Sequence, residues 1–243
     1  KNTTLNGSHA CIVTGYGGDG INITPRFRAT NRLLLDYDVI YVVANLRGGG
    51  EFGEQWHLAG NLTRKQNVFD DFAAVLQHLI DRGYTQSRRL GITGGSNGGL
   101  LMGATMTQHP KLVSAVVSRV GIYDMLRVEL SANGAFNVTE FGTVKNAAQF
   151  EALYAYSPYH NVRDDVSYPA TMFVTGANDP RVDPMQSRKM TARLQAVTRT
   201  KTPILLRTSA NSGHGLDQSL SQSIEQSVDI YSFLFKHLGV RVK

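Results

Sequence analysis

One serine in this sequence stands in a pattern that is typical of serine nucleophiles. Residues 94–98 read Gly-Gly-Ser-Asn-Gly, with Ser96 at the centre of a G-x-S-x-G motif. In hydrolases this motif forms a sharp turn between a strand and a helix, and the turn exposes the serine oxygen. Because five residues can match by chance in a chain with 24 glycines, the flanking elements must decide whether the motif is meaningful.

A serine nucleophile needs a base, and three histidines follow Ser96 outside its own helix: His160, His214 and His237. A serine hydroxyl attacks a carbonyl only when a neighbouring base removes its proton and a carboxylate orients that base. In hydrolases with this turn, the acid follows the serine and the histidine comes last. We favour His214 because it lies between glycines after a predicted strand, where open parallel sheets place their sites.

The orienting acid must come from the aspartates between the serine and the histidine. Asp179 follows the predicted strand 171–175, at the same sheet edge as the other two residues. Asp183 comes just before a proline and is better suited to capping the next helix. The residues therefore predict Ser96, Asp179 and His214 as nucleophile, acid and base, ahead of the remaining candidates Asp124, Asp164 and Asp165.

Short apolar runs alternate with segments of helical periodicity along the chain. Six runs are predicted as strands, at about 10–14, 39–44, 89–93, 113–117, 171–175 and 204–207. Four helices are predicted, at about 67–83, 97–108, 184–197 and 219–238. Such alternation is typical of an α/β fold with a mostly parallel, twisted sheet and helices on both faces. The serine motif thus lies between a predicted strand and a predicted helix, as its chemistry requires.

Two regions of the chain predict a buried strand and an irregular insertion. The run Val39–Ala44 is continuously apolar, which predicts a strand covered on both faces. Residues 121–168 are rich in aromatic and small polar residues and predict an irregular insertion. We expect residues 1–243 to form a single domain. We also expect Asn67 to cap the start of the first long helix and Gly83 to end it.

Composition and charge exclude several classes of partner. The net charge is +6, but the basic residues are scattered and no nucleic-acid-binding motif is present. No apolar run approaches the roughly 18 residues of a membrane span. The single cysteine, Cys11, rules out an internal disulfide and a cysteine-based metal site. We therefore expect no cofactor, metal, nucleic acid or membrane partner and, without a signal-peptide pattern, a cytoplasmic location.

Five motifs together resemble the catalytic domain of the prolyl oligopeptidase family, peptidase family S9. They are Gly-Tyr-Gly-Gly at 15–18, Ala-Asn-Leu-Arg-Gly-Gly-Gly-Glu-Phe-Gly at 44–53, Gly-Gly-Ser-Asn-Gly-Gly-Leu at 94–100, Asn-Asp-Pro-Arg-Val at 178–182 and Gly-His-Gly at 213–215. Their order and spacing make the resemblance specific, and it runs from about Leu5 to the end of the sequence. It implies an α/β-hydrolase fold, serine peptidase activity and a triad of Ser96, Asp179 and His214.

The resemblance also implies further site residues. It assigns the Tyr16 hydroxyl and the Asn97 backbone N–H to an oxyanion hole, which would stabilise the charge on the substrate oxygen. It assigns Arg181 to a substrate carbonyl, whereas from the residue alone a surface salt bridge is the alternative. Phe136 and Val182 are expected to line the substrate pocket.

The sequence departs from the family pattern in three ways. Asp19 stands where the first motif usually has a pocket phenylalanine. Phe136-Asn137-Val138 occupies the stretch of the tryptophan that stacks on the substrate proline. The family's β-propeller and the first two strands of its sheet have no counterpart here. The first two departures leave proline specificity open.

Residues and resemblance together predict a serine hydrolase that cleaves peptide or ester acyl bonds through an acyl-enzyme. A carboxylesterase with the same triad is the alternative, and a non-catalytic binding protein with a hydrolase-like fold is a third reading. Without the two missing strands, Val39–Ala44 becomes an apolar sheet edge. We expect this edge either to self-associate or to be covered by a further N-terminal segment.

Overall fold

Six parallel strands form the centre of the structure, a computed structural model that describes residues 4–198, 201–210, 212–215 and 218–242. The strands lie in the order β2-β1-β3-β4-β5-β6, and every neighbouring pair is parallel. All six predicted strands are present, so the α/β fold is confirmed. Their bounds are β1 Cys11–Gly15, β2 Ile40–Ala44, β3 Leu90–Gly95, β4 Ala115–Arg119, β5 Ala170–Gly176 and β6 Ile204–Ser209.

Eight α-helices are present in the described part of the chain. They are α1 Asn31–Asp36, α2 Glu54–Leu58, α3 Gln66–Asp81, α4 Asn97–Gln108, α5 Gly134–Phe141, α6 Ala147–Tyr156, α7 Met185–Val197 and α8 Leu220–Leu238. Short 3-10 turns occur at Leu62–Arg64, Ser87–Arg89 and Val128–Leu130. The four long helices α3, α4, α7 and α8 are those that the sequence predicts. Helices α1 and α2 were missed because six and five residues are too few to display a helical period.

The stretch 121–168 is more regular than predicted, because α5 and α6 lie within it. The apolar residues of α6 are spread around the helix instead of forming one stripe, so no helical period marks it in the sequence. A local signal does exist at its start. The Asn146 side chain accepts a hydrogen bond from the N–H of Gln149, which is the geometry of a helix N-cap.

The ends of the long helices show which cap predictions were right. Asn67 does not cap α3 but lies inside its first turn, where its side chain donates to the carbonyl of Ala59 at 2.8 Å. Gly83 does follow the end of this helix, with a positive φ of 70°. Helix α8 begins with a capping box, in which Ser219 and Gln222 each accept a hydrogen bond from the other's backbone N–H.

Alternate side chains along the strands enter two apolar cores, one on each face of the sheet. Val13, Ile92 and Val116 are fully buried in the core that contains α3 and α4. Ile12 and Val117 are fully buried on the opposite face, which α8 covers. Because α4 is packed against the sheet along its length, the turn that leads into it has a fixed position relative to the strand ends.

Strand β2 forms an edge of the sheet and, within the described residues, pairs only with β1. The prediction that Val39–Ala44 is covered on both faces was wrong. Ile40, Tyr41 and Val42 are only partly buried and 42 % of Val43 is exposed, because helices cover the faces of an edge strand incompletely.

Two glycines allow β3 and α4 to approach each other closely at the serine turn. A Cβ on Gly94 would lie 2.5 Å from the carbonyl oxygen of Gly98, and a Cβ on Gly98 would lie 2.8 Å from that of Gly15. Real Cβ atoms do not come this close to a backbone oxygen, so any side chain at these positions would push strand and helix apart.

We predict that Gly94→Ala lowers the free energy of unfolding by about 1–3 kcal/mol, because a rigid carbonyl must move to admit the methyl group. Gly95→Ala is the matched control, since its Cβ would lie 3.5 Å from the nearest atom, an ordinary contact. The control should change the free energy of unfolding by no more than about 0.5 kcal/mol. Chemical denaturation measures both variants, and equal losses would contradict the close approach.

Candidate active site

Ser96 occupies the turn between β3 and α4 in a backbone conformation that few non-glycine residues adopt, with φ 58° and ψ −123°. Its N–H donates to the carbonyl of Arg119 at 2.9 Å, and its own carbonyl accepts from the N–H groups of Gly99 and Leu100. These hydrogen bonds hold the strained turn in place. The serine lines a cavity of about 240 Å³ together with His214.

Asp179 and His214 follow β5 and β6, and the structure brings them into contact. Oδ2 of Asp179 lies 2.7 Å from Nδ1 of His214. The other carboxylate oxygen accepts the N–H groups of Arg181 and Val182, each at 2.9 Å. The contact at Nδ1 leaves Nε2, on the opposite side of the ring, for another partner. Because the Asp179 side chain is fully buried, the imidazole orientation is set by a carboxylate that water does not reach.

The environment of Asp179 favours its charged form. Burial acts to raise its pKa, but hydrogen bonds from His214 and from two backbone N–H groups outweigh burial, so the pKa lies below its ordinary value. The carboxylate is therefore ionised at neutral pH. An ionised, buried carboxylate can stabilise a positive charge on the neighbouring imidazole.

The two other candidate histidines have different partners. Nδ1 of His160 lies 2.8 Å from the hydroxyl of Ser157, which is buried, and burial lowers the pKa of this histidine. His237 lies on α8 against the ring of Phe233, with 4.6 Å between ring centroids. The described contacts of neither histidine include Ser96.

Three of the alternative acids are also engaged elsewhere. Asp124 forms ion pairs with Lys189 and Arg127, away from the serine turn. Asp164 pairs with Arg193 at 2.7 Å. The Asp183 carboxylate accepts the N–H of the second residue after it at 2.8 Å, close to the capping role that its position before a proline predicts.

Tyr16 follows β1, and its hydroxyl interacts with both Ser96 and Asp19. It donates to Oδ2 of Asp19 at 3.1 Å. Burial, followed by the negative charge of Asp19, raises the pKa of Tyr16, so the phenol keeps its proton at any physiological pH. A protonated phenol beside the serine can act as a hydrogen-bond donor.

Asn97 contributes two donors at the start of α4. Its backbone N–H is at the first helical position, where no acceptor exists within the helix. Its side-chain amide donates to the carbonyl of Tyr16 at 2.8 Å, and the whole residue is buried. The family resemblance predicts a role only for the backbone N–H. The side chain, which was not predicted, connects the loop after β1 that contains Tyr16 (the Tyr16 loop) to the serine turn.

The Asp19 carboxylate lies where the family resemblance leads us to expect a pocket phenylalanine. Burial and the nearby charge of Glu140 raise the pKa of Asp19, while Lys65, the Tyr16 hydroxyl and His57 act in the opposite direction. A hydroxyl has a single proton to donate. In this arrangement the Tyr16 proton is already shared with Asp19, so any further acceptor would have to compete with that carboxylate.

A buried ion pair beneath the Tyr16 loop was not predicted from the sequence. Nζ of Lys65 lies 2.7 Å from Oε1 of Glu140 and donates to the carbonyl of Gly17 at 2.9 Å. The other oxygen of Glu140 lies 2.9 Å from Nε2 of His57. The sequence offers little signal for this pair, because a lysine just before an amphipathic helix is typical of a solvated surface.

The three expected substrate-pocket residues lie in different settings. The Arg181 side chain is exposed, whereas Val182 is buried, and both backbone N–H groups hold Asp179. Phe136 lies on α5 with 61 % of its surface exposed and does not line the cavity that contains Ser96. The contacts with substrate assigned to these three residues stay predictions.

We predict that Lys65→Met lowers the free energy of unfolding by about 3–5 kcal/mol, because it leaves Glu140 charged and buried with one partner fewer. The double variant Lys65→Met, Glu140→Gln should recover part of this loss. Arg32→Met is the control, since it breaks an ion pair whose side chains are 80 % and 52 % exposed and should change stability little. Urea denaturation measures all three variants. Equal losses of unfolding free energy in Lys65→Met and Arg32→Met would contradict the buried pair.

Comparisons with known proteins extend over almost the whole chain. The profile of the Prolyl oligopeptidase family matches residues 25–241. A prolyl endopeptidase of Elizabethkingia meningoseptica is 40% identical over 99% of this chain and 34% of its own length. A prolyl endopeptidase of Dictyostelium discoideum is 42% identical over 100% of this chain and 33% of its own length.

Solved structures agree with this relationship. A structure from a study of two prolyl endopeptidases superposes with a TM-score of 0.97 at 48% identity, covering 99% of this chain and 36% of that one. Prolyl oligopeptidase B from Galerina marginata, bound to a 35-residue substrate, gives a TM-score of 0.95 at 34% identity, covering 99% of this chain and 34% of that one. The chain spans about a third of the length of the curated relatives it matches. By its sequence and its fold, this chain belongs to the prolyl oligopeptidase family.

Proposed function

We propose that this chain is the catalytic domain of a serine peptidase of the prolyl oligopeptidase type, with residues 1–243 forming one domain. Ser96 is the nucleophile, His214 the base and Asp179 the acid that orients it. The observation that carries this proposal is the 2.7 Å contact between Asp179 and His214. His214 lines the same cavity as the strained serine. Family membership supports peptide bonds as the substrate, as does a relative solved with a 35-residue hydrolysis and macrocyclization substrate.

The proposed reaction proceeds through an acyl-enzyme. The Ser96 oxygen attacks the substrate carbonyl while Nε2 of His214 takes its proton, and Asp179 stabilises the resulting imidazolium. The negative charge on the substrate oxygen is stabilised by the Tyr16 hydroxyl and the Asn97 N–H. The imidazolium then protonates the leaving amine, and a water molecule hydrolyses the acyl-enzyme by the reverse sequence of proton transfers. No step of this reaction calls for a cofactor or a metal ion.

Substrate recognition is proposed to involve Arg181, Phe136 and Val182. The exposed guanidinium of Arg181 would bind a substrate carbonyl, two residues beyond the acid. The Asp19 carboxylate beside Tyr16 makes the pocket more acidic than a phenylalanine would.

We predict that Ser96→Ala and His214→Ala each lower kcat on a peptide anilide by about 10⁴-fold or more, because neither the nucleophile nor its base can be replaced. The double variant should be barely slower than either single variant, since the residues act as a unit. His78→Ala is the matched control, because this histidine is exposed on α3, and its kcat should stay unchanged. Near-normal turnover by Ser96→Ala would refute the mechanism.

We further propose that the chain self-associates through β2. We also propose that it resides in the cytoplasm. An edge strand offers a row of unpaired N–H and C=O groups to another chain, and proteins normally protect such edges with charges or proline. Residues Ile40–Ala44 contain neither. The lone buried thiol of Cys11 is suited to a reducing compartment.

We predict that the chain sediments as a dimer or larger species at micromolar concentration, because β2 pairs with a second copy. Val43→Lys places a charge on the exposed face of this strand and should give a monomer. Leu130→Lys is the control, since Leu130 is more exposed and lies outside the sheet. Sedimentation velocity that finds a monomeric parent chain would contradict this part of the proposal.

A further inference from the structure

A second cavity, of about 460 Å³, lies between the sheet and α8. Its walls are formed by β1 and β2, by the ends of β3 and β4, by the segment 23–31 and by α8. Gly95 and Arg119 line both this cavity and the one that contains Ser96, and Tyr16 also borders it. The two cavities are therefore neighbours at the serine turn. We call the second one the arginine cavity, after Arg26, Arg28 and Arg119 in its wall.

The charge of the arginine cavity is entirely positive. Its wall contains three arginines and, among the described residues that line it, no aspartate or glutamate. Burial lowers the pKa of Arg119, and the positive charge of Arg28 lowers it further, whereas Tyr41 and Tyr231 act in the opposite direction. These four side chains thus lie close enough to influence one another. The two guanidinium groups supply only hydrogen-bond donors, and each phenol hydroxyl can donate one more.

Arg119 is the last residue of β4, and its Nε is buried without a hydrogen-bond partner within the described residues. Arg89 shares this feature but does not line the cavity. By contrast, three other arginines that are partly shielded from solvent have carboxylate partners at 2.5–2.7 Å: Arg47 with Asp71, Arg193 with Asp164 and Arg207 with Asp229. Burying a guanidinium is costly unless acceptors satisfy its donors, so an anion in this cavity would stabilise the Arg119 side chain.

We propose that the arginine cavity binds a carboxylate, namely the C-terminal group of a short peptide whose scissile bond lies at Ser96. The two Nη groups of a guanidinium form a planar fork that fits the two oxygens of a carboxylate. The shared wall formed by Gly95 and Arg119 brings this fork next to the nucleophile. The inference rests on the proposed peptidase function and adds that Arg119 makes the enzyme prefer substrates that end close to the cleaved bond.

The test compares peptides that differ only in their C-terminal charge. The peptides are acetyl-alanyl-proline extended by one, two or three alanines, each made as the free acid and as the amide. Calorimetry at low salt measures their binding to the Ser96→Ala chain, which does not turn them over. For the length that reaches Arg119, the acid should bind about ten-fold more tightly than the amide, as expected of one buried charge-assisted contact.

Variants in the Ser96→Ala background locate the preference. Arg119→Gln should abolish the difference between acid and amide, and Arg28→Gln should reduce it. The Arg28 side chain is exposed, so its substitution does not threaten folding. Arg82→Gln is the matched control, because it removes one positive charge from an exposed position at the end of α3, outside the cavity. This control should retain the full preference.

Two outcomes would overturn the inference. One is equal binding of the acid and the amide at all three lengths. The other is that Arg82→Gln reduces the difference in affinity between acid and amide as much as Arg119→Gln does.

Turnover of the same peptides by the chain with Ser96 intact is measured separately. If the chain does not hydrolyse the peptides but still binds the acids more tightly than the amides, the proposed function is refuted, while Arg119 is still assigned to carboxylate binding. Hydrolysis without any acid preference would refute only the arginine cavity.

Discussion

The site depends on a backbone conformation at Ser96 that an isolated chain would rarely adopt. A non-glycine residue with φ 58° costs about 1–3 kcal/mol, which the surrounding structure must supply. It does so through the hydrogen bond to the Arg119 carbonyl, the close approach of Gly94 to Gly98 and the almost complete burial of α4. These contacts hold the serine oxygen at the sheet edge where the segments with Asp179 and His214 follow neighbouring strands.

Much of this arrangement could be predicted from the sequence because its signals are local. Each strand is a short apolar run, and the parallel order of such strands brings their carboxyl ends to one edge. That rule predicts Ser96, Asp179 and His214 at one sheet edge without any knowledge of distances, but it does not separate Asp179 from Asp124, which also follows the end of a strand. It also predicts helix α4 to the residue, since the serine motif begins it and His109-Pro110 ends it.

The remainder depends on contacts between distant parts of the chain. Lys65 and Glu140 are 75 positions apart, and nothing near either residue indicates that both are buried. The Asn97 amide reaches a carbonyl 81 positions away, so the serine motif alone does not reveal its second role. Exposure of Val39–Ala44 depends likewise on whether strands lie on both sides of it, and hydrophobicity along the chain carries no information about that.

The central claim is that the strained turn presents an activated serine to His214 and Asp179. Reaction with an active-site-directed fluorophosphonate, followed by intact mass and peptide mapping, tests this directly because only an activated serine attacks the phosphorus quickly. The account predicts one adduct per chain, located on Ser96, and its near-complete loss in His214→Ala. A folded chain that forms no adduct, or forms one at another residue, would contradict the account.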